Sequence, residues 1–224
     1  MGRVEAASGN EGSADDQAAF REVRARLGQT FFTEKTKFPP NDLFGALLHA
    51  PRVAQKVIEL GGALRSLGDV GADREASLPD DFVEFVAFAV FARMEREAVS
   101  RGHAFAYRRP MFNHVPRAVG SGMRPEAIVA LRDENDAALL PRELELARFV
   151  RDVLAGSVDD RGWERMQARL GTRRTIETAS YALLDFFVCR LEAALGLADA
   201  SAEELEACVK EALRSHPGAR DLSL

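Results

Sequence analysis

Cysteine is scarce in this chain, with Cys189 and Cys208 the two present in 224 residues. Two distant cysteines provide neither a disulfide framework nor a CxxC redox pair. No apolar run approaches the roughly 18 uncharged residues of a membrane-spanning helix, and residues 1–16 lack the apolar core of a secretory signal. The net charge of −5 argues against the basic face of a nucleic-acid-binding protein. We therefore expect a reduced, cytoplasmic protein that binds neither nucleic acid nor membrane.

The chain divides by composition into three segments. Residues 1–16 are rich in Gly, Ser, Ala, Asp and Glu, and we expect a disordered tail because almost nothing there can be buried. Residues 17–200 predict a single all-helical domain of a size that can build one core. Residues 201–224 predict a C-terminal helix and tail, since the pattern from Ser201 to Glu204 is that of a capping box.

Prolines and glycines punctuate the chain as they do in helical proteins. Prolines stand where a first helical turn tolerates a missing N–H, and glycines stand where a left-handed residue ends a helix. No segment has the alternating pattern of a strand, so the fold class is predicted to be all-α. The predicted helices are 15–28, 42–49, 51–67, 79–100, 110–120, 125–132, 141–155, 160–170, 173–195 and 202–215.

Two of these helices are apolar on nearly every side. They are 79–100, which carries four phenylalanines, and 173–195, which carries two. A helix that is apolar all round is buried in the centre of a bundle or in an interface between subunits. Two such helices in a chain of this size favour a homo-oligomer.

The most informative segment is 114–123, with the sequence HVPRAVGSGM, because it ends one helix at a glycine just before Pro125 opens the next. From Asn41 to about Leu197 the chain resembles the carboxymuconolactone decarboxylase-like proteins, which include the alkylhydroperoxidase D-like proteins. The resemblance is carried by three blocks in order. They are 48–54 (LHAPRVA) with 78–79 (LP); 114–123 with 125–128 (PEAI) and 131–132 (LR); and 142–145 (RELE), 149–152 (FVRD), 158–160 (VDD), Trp163 and 174–177 (RTIE).

The resemblance implies an all-α helical bundle of the alkylhydroperoxidase D-like type that assembles as a dimer, trimer or hexamer. It also implies either decarboxylase chemistry or thiol peroxidase chemistry. Peroxidase members carry a CxxC pair ahead of the family histidine, and the matching positions here are Tyr107 and Pro110. The absence of both thiols argues against the peroxidase reaction, which needs an attacking and a resolving thiol close together.

The candidate catalytic residues are His114 and an upstream glutamate. A histidine can take a proton from carbon or water and return it elsewhere, and a carboxylate can orient its ring. Counting from Leu78 places the family glutamate at Glu84, whereas counting back from His114 places it at Glu95. Since these glutamates are eleven residues apart, about three helical turns, both carboxylates face the same way. The sequence leaves open which of them serves the histidine.

The candidate substrate-binding residues are Arg117, Arg109 and Tyr107. Arg117 is three residues after His114 and shares its helix face, and arginine suits bidentate binding of a carboxylate. Tyr107 adds an aromatic pocket wall. We predict no metal, because the histidines have no metal-ligand spacing, and no other cofactor.

The prediction is therefore a cofactor-free lyase or isomerase-type enzyme that uses a histidine general base on a small carboxylated or lactone metabolite. A non-catalytic helical oligomer or ligand-binding member of the family is the alternative. It is motivated by segment 105–113, which departs from the pattern of both family branches. An alkylhydroperoxidase-type peroxidase is the third hypothesis.

Overall fold

The computed structural model describes residues 9–10, 12–30, 43–65 and 78–215. Within these residues the backbone forms α-helices and one short 3-10 turn, and it forms no strand, so the predicted all-α fold class is confirmed. In chain order the helices are α1 (Ala14–Thr30), α2 (Leu43–Leu47), α3 (Pro51–Arg65), α4 (Asp80–Ser100), α5 (Arg108–Ser121), α6 (Pro125–Arg132), α7 (Pro141–Ala155), α8 (Asp160–Leu195) and α9 (Ala202–Ser215).

Several helix boundaries follow from local capping chemistry. Pro125 and Pro141 occupy the first turns of α6 and α7, where a missing N–H leaves no bond unmade. Gly122 and Gly156 end α5 and α7 in the left-handed conformation, with φ of 103° and 66°. The 3-10 turn at Asp136–Ala138 was not predicted. Residue 42 and residues 66–67 of two predicted helices lie outside the described residues.

Helix α1 begins at Ala14, so residues 14–16 of the predicted disordered tail are helical. The reason is a reciprocal cap. The backbone N–H of Ser13 donates to Asp16 Oδ2 at 3.0 Å, and the backbone N–H of Asp16 donates to Ser13 Oγ at 3.2 Å. These two bonds satisfy N–H groups that a helix start leaves without partners.

The chain separates into two compact units. The first unit consists of residues 1–75 and 191–198, and the second consists of residues 76–190 and 199–224. In the described part of the first unit, α1 packs against α3. In the second unit, α4 packs against α5, α6 and α7, while α9 packs against α5 and α6. The C-terminal helix is therefore part of the second unit.

Helix α4 is the core of the second unit. Its phenylalanines at 82, 85, 88 and 91 are at most 2% exposed, which confirms the prediction that this apolar helix is buried. A helix surrounded on several sides has no polar face to give to solvent. Even so, none of the helices that the structure describes is long and apolar enough to cross a membrane.

Helix α8 bends at Gly171, where φ of 78° and ψ of 161° interrupt the helical backbone. The interruption falls between the two helices predicted for this region, 160–170 and 173–195. The second half of α8 is buried on one side only. Ile176, Leu183 and Phe187 are 51%, 50% and 45% exposed, and their spacing places them in one stripe along the helix. We call these three side chains the α8 stripe.

Candidate active site

The site forms where α4 and α5 pack side by side. Glu84 projects from α4, and its side chain is 5% exposed. Its Oε2 shares a 2.7 Å hydrogen bond with Nδ1 of His114. Its other oxygen, Oε1, lies 3.2 Å from Nη2 of Arg117, one turn further along α5. Both carboxylate oxygens are thus occupied by neighbouring residues of one helix face.

The imidazole of His114 is held from two sides. The edge of the Phe91 ring packs against it, with centroids 5.1 Å apart and an interplanar angle of 71°. When the Glu84 carboxylate is ionised it can only accept, and the proton of this hydrogen bond is then on Nδ1. Among the described residues, no hydrogen bond is made by Nε2 of His114. The ring is therefore oriented through Nδ1, and in the neutral Nδ1–H tautomer the lone pair is on Nε2.

The second candidate glutamate lies elsewhere on the same pair of helices. Glu95 Oε1 accepts a 2.6 Å hydrogen bond from Nε of Arg108, near the start of α5. Both carboxylates face α5, as their eleven-residue spacing predicts. The structure brings Glu84 to His114 and places Glu95 on Arg108. Glu84, near the start of α4, contacts His114 in the middle of α5, whereas Glu95, nearer the end of α4, contacts Arg108 at the start of α5. The two helices therefore run antiparallel.

Arg109 and Tyr107 are placed at the start of α5, away from His114 along the helix. The side chain of Arg109 donates from Nη2 to the backbone oxygen of Asp199 at 3.3 Å and lies over the Phe112 ring. Tyr107 is 3% exposed, and its hydroxyl accepts a 3.0 Å hydrogen bond from Arg190. His114 follows Arg109 by five residues, roughly 7.5 Å along the axis. Arg117 is therefore the predicted substrate-binding residue that the structure groups with His114 and Glu84.

The start of α5 is capped by a residue that is distant in sequence. Tyr107 precedes the helix in the left-handed conformation with φ of 60°, and its side chain makes no capping bond. Asp199 supplies the cap instead. Its Oδ2 accepts from the backbone N–H of Ala106 and its Oδ1 from that of Arg109, both at 2.7 Å. Sequence reasoning missed Asp199, because no local pattern links it to residues some ninety positions earlier.

Pro116 lies inside α5, directly between His114 and Arg117. Because proline has no N–H, it cannot donate to the carbonyl of Phe112 four residues earlier. The Sγ of Cys208, on α9, lies 3.9 Å from that carbonyl oxygen as a weak donor. Cys208 is far from the site in sequence, yet its helix packs directly on α5. Burial raises the pKa of the Cys208 thiol.

In the described part of the chain, no three His, Cys, Asp or Glu side chains cluster as metal ligands would. The groups that converge at His114 are a carboxylate, an imidazole, a guanidinium and an aromatic ring. Such a set can orient a base and hold an anion.

The fold is similar to that of a crystal structure described as an alkylhydroperoxidase AhpD core, an uncharacterized peroxidase-related protein from Ralstonia eutropha JMP134. The two are 17% identical, the TM-score is 0.61, and the alignment covers 92% of this chain and 95% of that chain. No protein-family model and no curated protein matches the sequence. The fold is thus of the alkylhydroperoxidase D-like type, and the resemblance inferred from the motifs is confirmed at the level of the fold.

Proposed function

We propose that the protein is a cofactor-free lyase or isomerase-type enzyme that acts on a small carboxylated or lactone metabolite, with His114 as its general base. The observation that carries the proposal is the 2.7 Å bond between His114 Nδ1 and Glu84 Oε2. It supports a ring whose Nε2 has a lone pair and no partner among the described residues. A base must have a free lone pair within reach of the proton that it takes.

In the proposed reaction, Nε2 of His114 takes a proton from a carbon next to the substrate carbonyl. The electron pair of that C–H bond passes into the carbonyl to form an enolate, while Glu84 stabilises the imidazolium. In a substrate with a C=C bond conjugated to this enolate, the imidazolium returns the proton at the far carbon of that bond, the double bond moves, and the substrate is isomerised. Decarboxylation needs the opposite protonation state. The carboxylate carbon leaves as carbon dioxide, its electron pair enters the conjugated lactone, and His114, protonated beforehand from solvent, supplies the proton from Nε2 as a general acid.

The proposed anion site is Arg117, whose side chain is 31% exposed next to the buried Glu84. A guanidinium at the edge of the site suits a substrate carboxylate. Three roles stay untested predictions: substrate binding by Arg109 and by Tyr107, and catalysis by Glu95. Each of these three side chains contacts other residues of the second unit.

The test is a comparison of His114→Gln with His103→Gln on a panel of small lactones and dicarboxylates, with products followed by NMR. His103 is exposed in the loop before α5, so it is a matched control for the loss of one histidine. We expect a loss of about 100-fold or more in turnover for His114→Gln, the usual size of general acid–base catalysis, and no change for His103→Gln. Equal turnover by both variants on every accepted substrate would exclude the mechanism.

Self-association is a second part of the proposal. The α8 stripe places three large apolar side chains, each about half exposed, on one helix face. Contiguous exposed apolar surface is typical of interfaces between subunits. We expect light scattering to report an oligomer for the wild-type chain and a smaller species for Leu183→Glu. Val99→Glu, at a 55% exposed position near the end of α4, is the control that should retain the wild-type mass.

A non-catalytic, ligand-binding oligomer is the alternative function. The departure of segment 105–113 from the family pattern favours it, because that segment holds Tyr107 and Arg109 in contacts within the second unit. Under this alternative the same compounds bind without turnover. Calorimetric binding that His114→Gln leaves unchanged, together with no product, would favour it over the enzyme.

A further inference from the structure

Arg117 has a contact that a residue serving substrate alone would not need. Its Nη2 lies 3.2 Å from Oε1 of Glu84, while Oε2 of the same carboxylate is bonded to His114. Glu84 is 3% exposed as a residue, so its negative charge is almost fully removed from water. A buried carboxylate stays ionised only where a nearby cation or strong donors compensate for its lost hydration.

We infer that Arg117 is a positioning residue that keeps Glu84 ionised and thereby fixes the Nδ1–H tautomer of His114. The inference rests on the proposed function for its catalytic meaning, but its structural content is independent of any reaction. Arg117 acts through Glu84, and the result is that the lone pair of the imidazole is on Nε2. His114 and Arg117 are three residues apart on α5, so one helix face delivers both partners of the carboxylate.

The alternative states of Glu84 show why the cation matters. If Glu84 lost its compensation, the Glu84–His114 pair would gain one proton from solvent, in either of two arrangements. In one, Glu84 is neutral and donates to Nδ1 while the imidazole proton is on Nε2; in the other, Glu84 stays ionised and both imidazole nitrogens carry hydrogen. In both cases Nε2 of His114 carries hydrogen and has no lone pair. Removing Arg117 is therefore expected to move the lone pair away from Nε2.

The groups that face the imidazole define the rest of its environment. From α4, Glu84 bonds to it and the edge of the Phe91 ring packs against it. From α9, which also packs on α5, Cys208 contacts the carbonyl of Phe112 and not the ring. Arg117 on α5 places a cation on the carboxylate, with Nη2 3.2 Å from Oε1. The effect of its removal should therefore be transmitted through Glu84.

The test is the ring 15N spectrum of His114 in protein labelled at histidine. The chain has four histidines, and His114→Gln assigns the relevant signals. Spectra are recorded at about pH 7.5, roughly one unit above the usual histidine pKa. In the wild-type protein we expect Nδ1 protonated and Nε2 unprotonated by about tenfold or more, the bias of one charge-assisted hydrogen bond. Arg117→Met should make Nε2 largely protonated, and Arg117→Lys should keep the wild-type pattern.

Arg108→Met is the matched control. It removes a guanidinium from the same helix pair, where Arg108 bonds to Glu95 at 2.6 Å, without touching Glu84. It should leave the His114 spectrum unchanged. If Arg117→Met does not fold, Arg117→Gln removes the charge from a side chain that is 31% exposed, and the same shift is expected. A wild-type pattern in the neutral variant that folds, or a protonated Nε2 in the wild-type protein, would overturn the inference.

The 15N spectrum and the activity panel test the tautomer inference and the proposed function independently. If His114→Gln leaves turnover intact while the spectrum depends on Arg117 as expected, the proposed function is wrong and the tautomer inference stands. If turnover requires His114 but the His114 spectrum does not change when Arg117 is replaced, the proposed function stands and the tautomer inference is wrong.

Discussion

Removal of the Asp199 carboxylate should weaken the anchor of the helix that carries His114. Asp199 accepts two backbone hydrogen bonds at the start of α5, each 2.7 Å long, from Ala106 and Arg109. A hydrogen bond to a charged group contributes about 1.5–3 kcal/mol, and loss of a helix cap costs about 0.5–2 kcal/mol. Because Asp199 is half-buried, water can reach part of the vacated space. For Asp199→Ala we expect a loss of about 2–3 kcal/mol.

The assay is urea unfolding followed by the fluorescence of Trp163, the one tryptophan of the chain, which lies in the second unit with Asp199. Asp199→Asn keeps one acceptor oxygen and should lose about half as much stability as the alanine variant. Asp133→Ala is the control, because its carboxylate is 52% exposed and should contribute about 1 kcal/mol or less. A free energy of unfolding for Asp199→Ala within about 0.5 kcal/mol of the wild-type value would refute the cap.

Two further predictions concern other buried groups. Glu143 is 1% exposed and accepts bonds of 2.9 and 2.6 Å from Arg124. Glu143→Ala should cost about 3–5 kcal/mol in urea unfolding, because Arg124 loses its carboxylate and the backbone N–H of Leu140 loses its acceptor. Glu145→Ala, whose carboxylate is 34% exposed, should change stability by less than about 1 kcal/mol, and equal losses would contradict this. Since burial raises the pKa of Cys208 and Cys189 is 0% exposed, both thiols should react with a disulfide reagent at least about tenfold more slowly in the folded than in the unfolded protein. A thiol labelled as fast in the folded as in the unfolded protein would contradict this prediction.

The capping signals explain why so many helix boundaries could be predicted. Helices α6, α7 and α9 begin and end where the sequence predicts, since a proline in the first turn or a Ser–Glu capping box acts within four residues. The short 3-10 turn at Asp136–Ala138 was missed. Its last N–H groups bond to residues only three positions back, and such a turn needs no distinctive residue.

The candidate site was predictable as a set of residues but not as an arrangement. His114 and Arg117 share a helix face because they are three residues apart. Glu84 and Glu95 share a face because their spacing of eleven residues is about three helical turns. Whether Glu84 or Glu95 contacts His114 depends on the displacement of α4 relative to α5 along the helix axes. No local pattern contains that displacement, because it is set by packing of side chains between helices.

The sequence by itself determined that the chain is helical, where most helices start and stop, and that His114 shares a helix face with Arg117. These properties depend on interactions within one or two turns. The tertiary structure alone decided that Glu84 meets His114, that Glu95 meets Arg108, and that Asp199 caps α5. Each of those contacts joins residues far apart in the chain, and their distances exist only once the helices have packed.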